Sequence, residues 1–264
     1  MDCACDMNCD YDALAPDYHW LVGDAILSGE SFLARHSSLL ASHSAGARIL
    51  DCACGIGSTA IGLARQGYQV TASDGSSSMV AEAERRARAA ALDIDFATCQ
   101  WEGLPSRFDD PFDLVLCVGN SISHTPNRCS ALRALAAMRA VLKPGGTLLV
   151  DTRNWEKMRR EQARVTLPDA AVERDGMQCI ALRLWDHQTD WNAPHHLELL
   201  LIFERAKQVN FRRYVLTYRP VRYLELRACM EEVGFTIHRS DYSDDADWYG
   251  LRERDAMDER ALLV

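Results

Sequence analysis

The chain contains 264 residues with a formal net charge of −9, and 48% of them are hydrophobic and 25% charged. This composition is typical of a folded globular protein and disfavours a nucleic-acid partner, since proteins that bind phosphate backbones usually carry a basic face. No apolar run approaches the roughly 20 residues needed to span a membrane, and the N-terminus lacks a signal-peptide pattern. We therefore expect a cytoplasmic protein whose 10 cysteines are reduced thiols.

The first 44 residues contain no strand pattern. Residues 1–10 are expected to be a disordered tail, and residues 11–44 a helical cap with apolar side chains at helical spacing. Cys3, Cys5 and Cys9 stand in that tail, but their spacing is not one that zinc sites use. We therefore expect no metal site.

Strand and helix patterns alternate through residues 45–154, which we expect to form a cofactor-binding core. Short apolar runs predict five strands, at 48–53, 69–73, 94–99, 112–118 and 147–151. Apolar residues at helical spacing predict helices at 58–66, 77–91 and 129–142. A Lys-Pro-Gly-Gly sequence at 143–146 is expected to end the last helix in a tight turn. Short strand–helix repeats of this kind are typical of a parallel, doubly wound sheet.

The pattern changes after the fifth strand. Three strand patterns follow one another without an intervening helix, at 177–187, 196–205 and 208–217. Residues 155–219 are therefore expected to form an antiparallel lid over the ligand end of the sheet. Residues 220–264 are expected to complete the core with one helix and two strands. The predicted fold is α/β and Rossmann-like, with a seven-stranded, mostly parallel sheet, helices on both faces and a small antiparallel β insertion after strand five.

Two glycines and an acid form the most informative motif. The first predicted strand runs into Asp-Cys-Ala-Cys-Gly-Ile-Gly at 51–57, and the second ends on Asp74. Glycines at this turn let a ligand approach the backbone, and an acid at the end of the next strand can accept hydrogen bonds from ribose hydroxyls. The third glycine of the dinucleotide pattern Gly-x-Gly-x-x-Gly is missing. The motif thus predicts a nucleoside pocket and disfavours an NAD-dependent oxidoreductase.

Together with the segments that follow it, this motif resembles the motif series of class I S-adenosylmethionine-dependent methyltransferases. Gln100 and Trp101 follow the third strand, and the 143–146 turn precedes the fifth. The resemblance covers residues 45–155. Four segments are similar to the glycine/sarcosine N-methyltransferase group, namely 17–20, 119–124, 151–155 and 216–220.

The resemblance implies S-adenosylmethionine as the cofactor and S-adenosylhomocysteine as the product. The residues that it implies for cofactor binding follow the first four strands: Asp51, Ala53, Gly55, Gly57, Asp74, Gly75, Met79, Gln100, Trp101 and Val118. Gly55 and Gly57 are expected to lie against the methionine part of the cofactor, because a Cβ there would collide with it. Asp74 is expected to bind the ribose, and Gln100 and Trp101 to flank the adenine.

On the acceptor side, the resemblance implies two catalytic candidates, Asn120 and His124, in the loop after the fourth strand. A neutral imidazole can accept a proton or only form hydrogen bonds, so both roles stay open for His124. Arg153 matches the carboxylate-binding arginine of the glycine group, and a guanidinium can hold a carboxylate through two hydrogen bonds. The implied substrate-binding residues are Tyr18, Trp20, Asn120, Arg153 and Tyr218.

The chain departs from the family at the cofactor carboxylate. The glycine group binds this carboxylate with an arginine soon after the start of a Trp-containing helix. The corresponding stretch Trp20–Ser31 contains no arginine, and the first one downstream is Arg35. The residue that anchors the carboxylate is therefore open at this point.

We expect a methyltransferase that acts on a small molecule by N-methylation of an amine, with amino acids among the candidates. One alternative is O-methylation of a hydroxylated metabolite, with His124 as the base, and another is a catalytically idle cofactor-binding scaffold. A thiol-dependent arsenic methyltransferase is disfavoured, because no matching cysteine pair stands at the active-site loops. No nucleic-acid or membrane partner is expected, and the oligomeric state is open.

Overall fold

The computed structural model describes residues 9–168, 170–240 and 248–255. Five strands form the parallel part of a core sheet: β1 (Arg48–Asp51), β2 (Gln69–Asp74), β3 (Asp95–Thr98), β4 (Phe112–Cys117) and β5 (Leu142–Arg153). Five more form a second sheet: β6 (Val165–Thr166), β7 (Val172–Arg174), β8 (Met177–Asp186), β9 (His195–Arg205) and β10 (Gln208–Tyr218). Two C-terminal strands return to the core sheet, β11 (Phe235–Ser240) and β12 (Trp248–Asp255).

Short helices precede β1, and longer ones connect the core strands. The α-helices of the described residues are α1 (Cys9–Leu14), α2 (Asp24–Leu27), α3 (Glu30–Arg35), α4 (Ser37–Ala41), α5 (Ser58–Arg65), α6 (Ser77–Ala89), α7 (Leu104–Arg107), α8 (Arg128–Ala140), α9 (Trp155–Glu161) and α10 (Tyr223–Glu232). Three 3₁₀ turns cover Ala15–Leu21, Trp101–Gly103 and Ser121–His124. Helix α1 begins inside the segment that was expected to be a disordered tail. The rest of that tail, with Cys3 and Cys5, lies outside the described residues.

The core sheet has the strand order β11-β12-β5-β4-β1-β2-β3. Strands β1 to β5 pair in parallel, whereas β12 pairs antiparallel with both β5 and β11. The core sheet thus has the seven strands expected, and five of them form its parallel part. The strand order reverses at β1, which lies between β2 and β4. Ligands of such sheets bind at the C-terminal strand ends beside this switch point.

The Lys-Pro-Gly-Gly sequence at 143–146 does not form the separate turn that its composition predicts. It lies within β5, where the pairing with β4 jumps from Phe112–Leu142 to Leu114–Thr147. The backbone N–H of Phe112 donates to the carbonyl of Val141 at 2.9 Å, so pairing with β4 starts as soon as α8 ends. The four residues are then accommodated as an irregularity inside the strand.

Helices cover both faces of the core sheet. On one face, α8 and α10 contribute Leu135, Met138 and Met230 to a buried cluster with β4 and β5. On the other face, Leu63 of α5 packs in a second cluster with Ile49 and the neighbouring strands. These two apolar layers hold the strand ends rigid, which gives the loops after β1, β2 and β4 a fixed base.

A side-chain cap fixes the start of α6 next to the acid at the end of β2. The hydroxyl oxygen of Ser76 accepts a hydrogen bond from the backbone N–H of Met79 at 3.1 Å. Capping of this kind satisfies one of the free N–H groups in the first turn of a helix. The turn between Asp74 and α6 is therefore held in one conformation.

The second sheet is antiparallel with the order β10-β9-β8-β6, and β7 also pairs with β8. The antiparallel insertion after the fifth strand is thus confirmed, and we call residues 165–218 the lid. One face of the lid is apolar and buries Trp185, Leu199 and Leu216 in a cluster with Trp20 and Trp155. The alternation along β9 is clean, which is typical of a sheet with one face against the core.

Residues 9–21, which we call the N-terminal segment, contact both the core and the lid. Asp12 accepts hydrogen bonds from the hydroxyl of Ser76 and from the backbone N–H of Ser78. Asp17 is buried, accepts a hydrogen bond from the hydroxyl of Tyr214 at 2.5 Å and forms an ion pair with Arg212. Within the described ranges, no helix is long and apolar enough to cross a membrane.

Candidate active site

A cavity of about 750 Å³ lies at the C-terminal ends of β1, β2 and β4. Tyr11 and Tyr18 of the N-terminal segment also line it. A volume of this size is in the range of small-molecule and cofactor sites. It is lined by all but one of the residues expected to bind the cofactor, namely Asp51, Ala53, Gly55, Asp74, Gly75, Met79, Gln100, Trp101 and Val118.

The two glycines of the motif have different surroundings. Both have positive φ angles, +51° at Gly55 and +78° at Gly57. A Cβ on Gly55 would meet no atom within 4 Å, so the cavity is open at this point of the backbone. A Cβ on Gly57 would come within 2.9 Å of the Cβ of Ala83 in α6. Gly57 is not among the lining residues of the cavity, so the structure does not support a ligand contact there; its lack of a side chain allows α5 and α6 to approach closely.

The carboxylate of Asp74 is tied to the glycine turn. One oxygen accepts a hydrogen bond from the backbone N–H of Gly55 at 2.8 Å, and the other from that of Ser76 at 2.9 Å. Burial raises the pKa of Asp74, while these two N–H groups act in the opposite direction. Each carboxylate oxygen has a second lone pair. The acid can therefore still accept hydrogen bonds from two ligand hydroxyls, although its ribose role stays a prediction.

Asp51 has a buried oxygen that accepts no hydrogen bond. Its Oδ1 accepts a long bond of 3.4 Å from the backbone N–H of Ala53, but Oδ2 has no partner within the described structure. Burial raises the pKa of Asp51 to about 7. A buried carboxylate oxygen without a donor is costly. Because Asp51 lines the cavity, this oxygen fits a ligand that brings its own donor, such as the ammonium group of an amino-acid moiety.

Trp101 is held by a hydrogen bond rather than by packing alone. Its indole N–H donates to the carbonyl of Cys52 at 2.8 Å, and its ring is partly buried beside the core cluster under α8. Met79, in contrast, is only 1% exposed and packs with Ala15 and Ile56. Both side chains reach the cavity wall, and their contact with adenine stays a prediction.

Arg35 supplies a cation that the sequence left unassigned. It is the last residue of α3 and lines the cavity. Helix α3 comes this close because Gly29, just before it, approaches Gly62 of α5: a Cβ on Gly29 would lie 2.8 Å from the Cα of Gly62. Burial raises the pKa of Asp151, and the nearby positive charge of Arg35 lowers it. Arg35 is therefore the candidate for binding the carboxylate of an amino-acid moiety.

Asn120 holds the loop after β4 to the end of β5. It has a left-handed backbone with φ of 68°. Its Oδ1 accepts hydrogen bonds from the hydroxyls of Thr152 at 2.8 Å and Ser123 at 3.0 Å, and from the backbone N–H of Arg153 at 3.1 Å. Asn120 is buried and does not line the cavity. The structure therefore shows a positioning role for Asn120, and its catalytic role stays a prediction.

Asp151 is a cavity residue that the sequence analysis did not single out for this site. Its Oδ1 accepts hydrogen bonds from the backbone N–H groups of Gly119 at 2.6 Å and Asn120 at 3.2 Å. Burial raises its pKa to about 6, and the two N–H groups act in the opposite direction. The acid thus fixes the start of the Asn120–His124 loop. The sequence signal that could have identified Asp151 as a site residue is its place at the end of a strand that pairs with β4.

His124 lines the cavity and has both ring nitrogens engaged. Nδ1 lies 3.0 Å from the carbonyl oxygen of Thr217, which can only accept, so Nδ1 carries the hydrogen. Nε2 then accepts a hydrogen bond from the hydroxyl of Tyr11 at 2.8 Å. Burial lowers the pKa of His124 to about 4. The imidazole is therefore neutral at pH 7, and it can still take up a proton at Nε2.

The substrate candidates are only partly at the cavity. Tyr18 lines it, and Tyr218 is connected to it through its hydroxyl, 3.4 Å from that of Tyr11. Trp20 is not in the lining; its ring packs against Phe203 of the lid with centroids 5.7 Å apart. Arg153 lies behind the lining residues, with its Cζ 5.5 Å from the ring centroid of Trp185. Trp20 thus joins the N-terminal segment to the lid, and its contact with a substrate stays a prediction.

The described residues contain no group of three or more His, Cys, Asp or Glu side chains arranged to hold a metal ion. The thiols of Cys52 and Cys117 lie side by side in the core, and burial raises the pKa of Cys52 well above its usual value. A thiol in this state is a poor nucleophile. The cysteines of the core are therefore packing residues.

Comparison with known proteins shows that the chain is similar to methyltransferases. Residues 49–146 match the family model of a methyltransferase domain. A glycine/sarcosine N-methyltransferase of Parasynechococcus marenigrum (strain WH8102) is 32% identical over 191 residues, which are 72% of this chain and 64% of that protein. A ubiquinone biosynthesis O-methyltransferase of Xanthomonas campestris pv. campestris (strain B100) is 36% identical over 109 residues, which are 41% of this chain and 44% of that protein. The chain thus spans less than two thirds of the length of these relatives.

One solved structure is similar over nearly the whole chain. It is that of CalS10 with bound S-adenosylmethionine, an amino pentose methyltransferase from Micromonospora echinaspora. The TM-score is 0.70 at 16% identity, and the match covers 92% of this chain and 97% of that one. At this identity the likeness concerns the fold alone, including the lid that follows β5.

Proposed function

We propose, on the premise that this chain carries a class I S-adenosylmethionine-dependent methyltransferase domain, that it methylates the amine of a small, carboxylate-bearing molecule. The cofactor supplies the methyl group, so the protein's task is to position donor and acceptor and to exclude water. One observation carries the proposal: the neutral pair Tyr11–His124 lines the same cavity as the glycine turn and Asp74. A proton acceptor therefore borders the cofactor cavity.

We call the part of the cavity lined by Asp51, Arg35, Gly55 and Asp74 the cofactor half. The fit of these four groups to the cofactor supports this part of the proposal. The unpartnered oxygen of Asp51 suits the ammonium group of the methionine part, and Arg35 suits its carboxylate. The open backbone at Gly55 leaves room for the chain between them, and Asp74 would accept the ribose hydroxyls. Each group thus meets a ligand atom of complementary charge or hydrogen-bonding type.

We call the part of the cavity lined by Tyr11, Tyr18 and His124 the acceptor half. It must favour an uncharged amine, because an ammonium group has no lone pair with which to attack the methyl group. Burial beside Tyr11 and Tyr18 disfavours the charged form of an amine. A proton that leaves the amine would bind the hydroxyl oxygen of Tyr11, while the hydroxyl proton of Tyr11 moves to Nε2 of His124. The neutral, Nδ1-protonated state of His124 is the one that can receive it.

The carboxylate of the acceptor is inferred from the arginine behind the lining. Arg153 is the last residue of β5, and its positive charge acts on both Tyr18 and Tyr218. A cation beside the phenols of the acceptor half favours substrates that carry a negative group. The relative that is a glycine/sarcosine N-methyltransferase agrees with such an acceptor.

O-methylation of a hydroxylated metabolite is the second candidate. The pair Tyr11–His124 can take a proton from a hydroxyl group by the same route, and one relative is an O-methyltransferase of ubiquinone biosynthesis. The two candidate functions differ in the methyl acceptor that the protein would use. Amines with a carboxylate should react under the first, and phenols without one under the second.

Incubation with labelled S-adenosylmethionine and a panel of amino acids, simple amines and phenols tests the proposal. We expect label in carboxylate-bearing amines, and none with an Asp74→Asn variant used as the control. Transfer only to phenols would favour the second candidate. Absence of cofactor binding in calorimetry at millimolar concentration would contradict both, whereas cofactor binding without transfer to any acceptor would favour the idle cofactor-binding scaffold.

A further inference from the structure

Arg183 occupies an unusual position in the lid. Alternate residues of β8, namely Cys179, Ala181 and Trp185, are buried on its inner face. Arg183 belongs to the same row and pairs with Leu199 of β9, which is buried as well. A guanidinium in an apolar row loses much of its hydration, which is costly unless an anion or several acceptors replace the water.

The contacts of Arg183 do not compensate for this loss. Its Nη2 lies 3.4 Å from the carbonyl oxygen of Leu21, and its Nη1 lies 3.5 Å from that of Ala181. Both distances are long for a charge-assisted hydrogen bond. Across the described ranges, no carboxylate forms an ion pair with this side chain. Burial lowers the pKa of Arg183, and the positive charge of Arg153 lowers it further.

Other arginines of this region do have acidic partners. Three of them form ion pairs with carboxylates of the chain: Arg174 with Asp24, Arg212 with Asp17 and Arg219 with Glu225. In the folded chain, these arginines in and around the lid are therefore neutralised by carboxylates. Arg183 differs because it stands in the inner row of β8 and forms no ion pair within the described residues.

A second guanidinium reaches the same place from the core. Arg153 at the end of β5 lies against Trp185, two residues along β8 from Arg183. Burial raises the pKa of Tyr18 to about 12, and the charges of Arg153 and Arg183 both act against this rise. Both cations thus act on a residue of the cavity wall, while their own side chains lie behind the lining.

We propose that Arg183 is a specificity-determining residue that binds, together with Arg153, the carboxylate of the methyl acceptor. This inference rests on the proposed function in assigning the carboxylate to the acceptor. One carboxylate has two oxygens and can bridge both guanidiniums. It would then join the lid, through β8, to the core, through β5. Acids should therefore be preferred over the matching amides, which carry no charge.

Binding of matched acid–amide pairs tests this role. Glycine, sarcosine, β-alanine and anthranilate are each compared with the primary amide, with S-adenosylhomocysteine present, by the fluorescence change of the tryptophans around Trp185. Arg183→Met should raise the Kd of the acids about tenfold or more and leave that of the amides unchanged. Arg183→Lys, which keeps the charge and loses the planar fork, should recover part of the difference.

Arg213→Met is the matched control, because Arg213 lies on the lid strand β10, is exposed and is paired with Glu198 at 2.9 Å. It should bind acids and amides as the wild type does. Loss of acids and amides alike in Arg183→Met, equal affinities in all proteins, or no acid binding by the wild type would each overturn the inference. Acid binding that depends on Arg183 without any methyl transfer would uphold it and contradict the proposed function instead.

Discussion

The cofactor half and the acceptor half of the cavity are assembled in different ways. The contact between Gly55 and Asp74 joins residues only 19 positions apart, at the ends of neighbouring strands. The contacts of His124 join it to Thr217 and Tyr11, which are 93 and 113 positions away. A local motif therefore builds the first half, whereas the second depends on distant segments meeting. Substrate preference can consequently change in the lid and the N-terminal segment without disturbing the cofactor half.

The largest effect should come from Asp74, on which the cofactor half depends. Asp74→Ala removes the acceptor of the Gly55 and Ser76 N–H groups together with the expected ribose contacts. We expect S-adenosylmethionine to bind several-hundredfold more weakly, because two charge-assisted hydrogen bonds are lost, at about 1.5–3 kcal/mol each. Calorimetry measures this change. Asp95→Ala, at an exposed position of β3, is the control, and equal affinity of the two variants would contradict the assignment.

Tyr11→Phe should break the acceptor half alone. The variant removes the hydrogen bond to Nε2 of His124 and the hydroxyl that would receive the amine proton. We expect kcat at pH 7 to fall about a hundredfold, which is in the range of general acid–base contributions. The Kd of the cofactor should stay within a few-fold of the wild type. If kcat were unchanged and cofactor binding weakened, Tyr11 would belong to the cofactor half instead.

The two glycines of the motif should separate binding from stability. Gly55→Ala places a methyl group in the open part of the cavity, so cofactor binding should weaken tens of fold, the order expected when a steric clash costs about 2 kcal/mol. Gly57→Ala forces a contact with Ala83 and should lower the free energy of unfolding by about 1–3 kcal/mol. Denaturant titration and calorimetry on both variants measure the pair. Equal weakening of cofactor binding in Gly55→Ala and Gly57→Ala would contradict the different roles assigned to the two glycines.

The pH dependence of the cofactor half should follow Asp51, whose pKa burial raises to about 7 from 3.8. The native state then holds a proton that the unfolded chain releases, so the stability of the ligand-free protein falls as pH rises from about 4 to 7 and is level above. A ligand ammonium favours the charged acid, so cofactor affinity should rise about tenfold between pH 6 and pH 8.

Asp51→Asn should remove the rise in cofactor affinity between pH 6 and pH 8. The stability profile should keep a slope below about pH 6, because burial raises the pKa of Asp151 to about 6. Denaturant titrations and calorimetry between pH 5 and pH 8 supply the data. His124, with its pKa lowered to about 4, contributes no titration in that range. An affinity profile that is unchanged in Asp51→Asn would assign the pH dependence to another group.

The parts of the site that could be predicted are those that depend on short stretches of sequence. Gly55, Asp74 and Trp101 follow predicted strands directly, so their place at the strand ends follows from the pattern. Asp51 also stands at a predicted strand end and lines the cavity, but the sequence cannot show that one of its oxygens lacks a donor. The contact of Gly57 with α6 is also invisible in sequence, because it depends on how two helices pack.

The parts that could not be predicted depend on tertiary contacts. Arg35 reaches the cavity only because α3 packs closely on α5. The position of Arg183 in the inner row of the lid is visible only once the pairing of β8 with β9 is known. Trp20 was assigned to the substrate, but an aromatic residue beside a lid can equally fill its core, and here it does. The sequence 143–146 was assigned to a turn because composition takes no account of pairing with β4.

The N-terminal segment has a consequence for the order of events during turnover. Asp12 bonds to the start of α6 on the core, and Asp17 bonds to β10 of the lid, while Tyr11 and Tyr18, which flank the two acids in the chain, line the cavity. A single short stretch of chain therefore borders both halves. We expect this segment to complete the acceptor wall only after the methyl donor has bound. Binding should accordingly be sequential, with the methyl donor first.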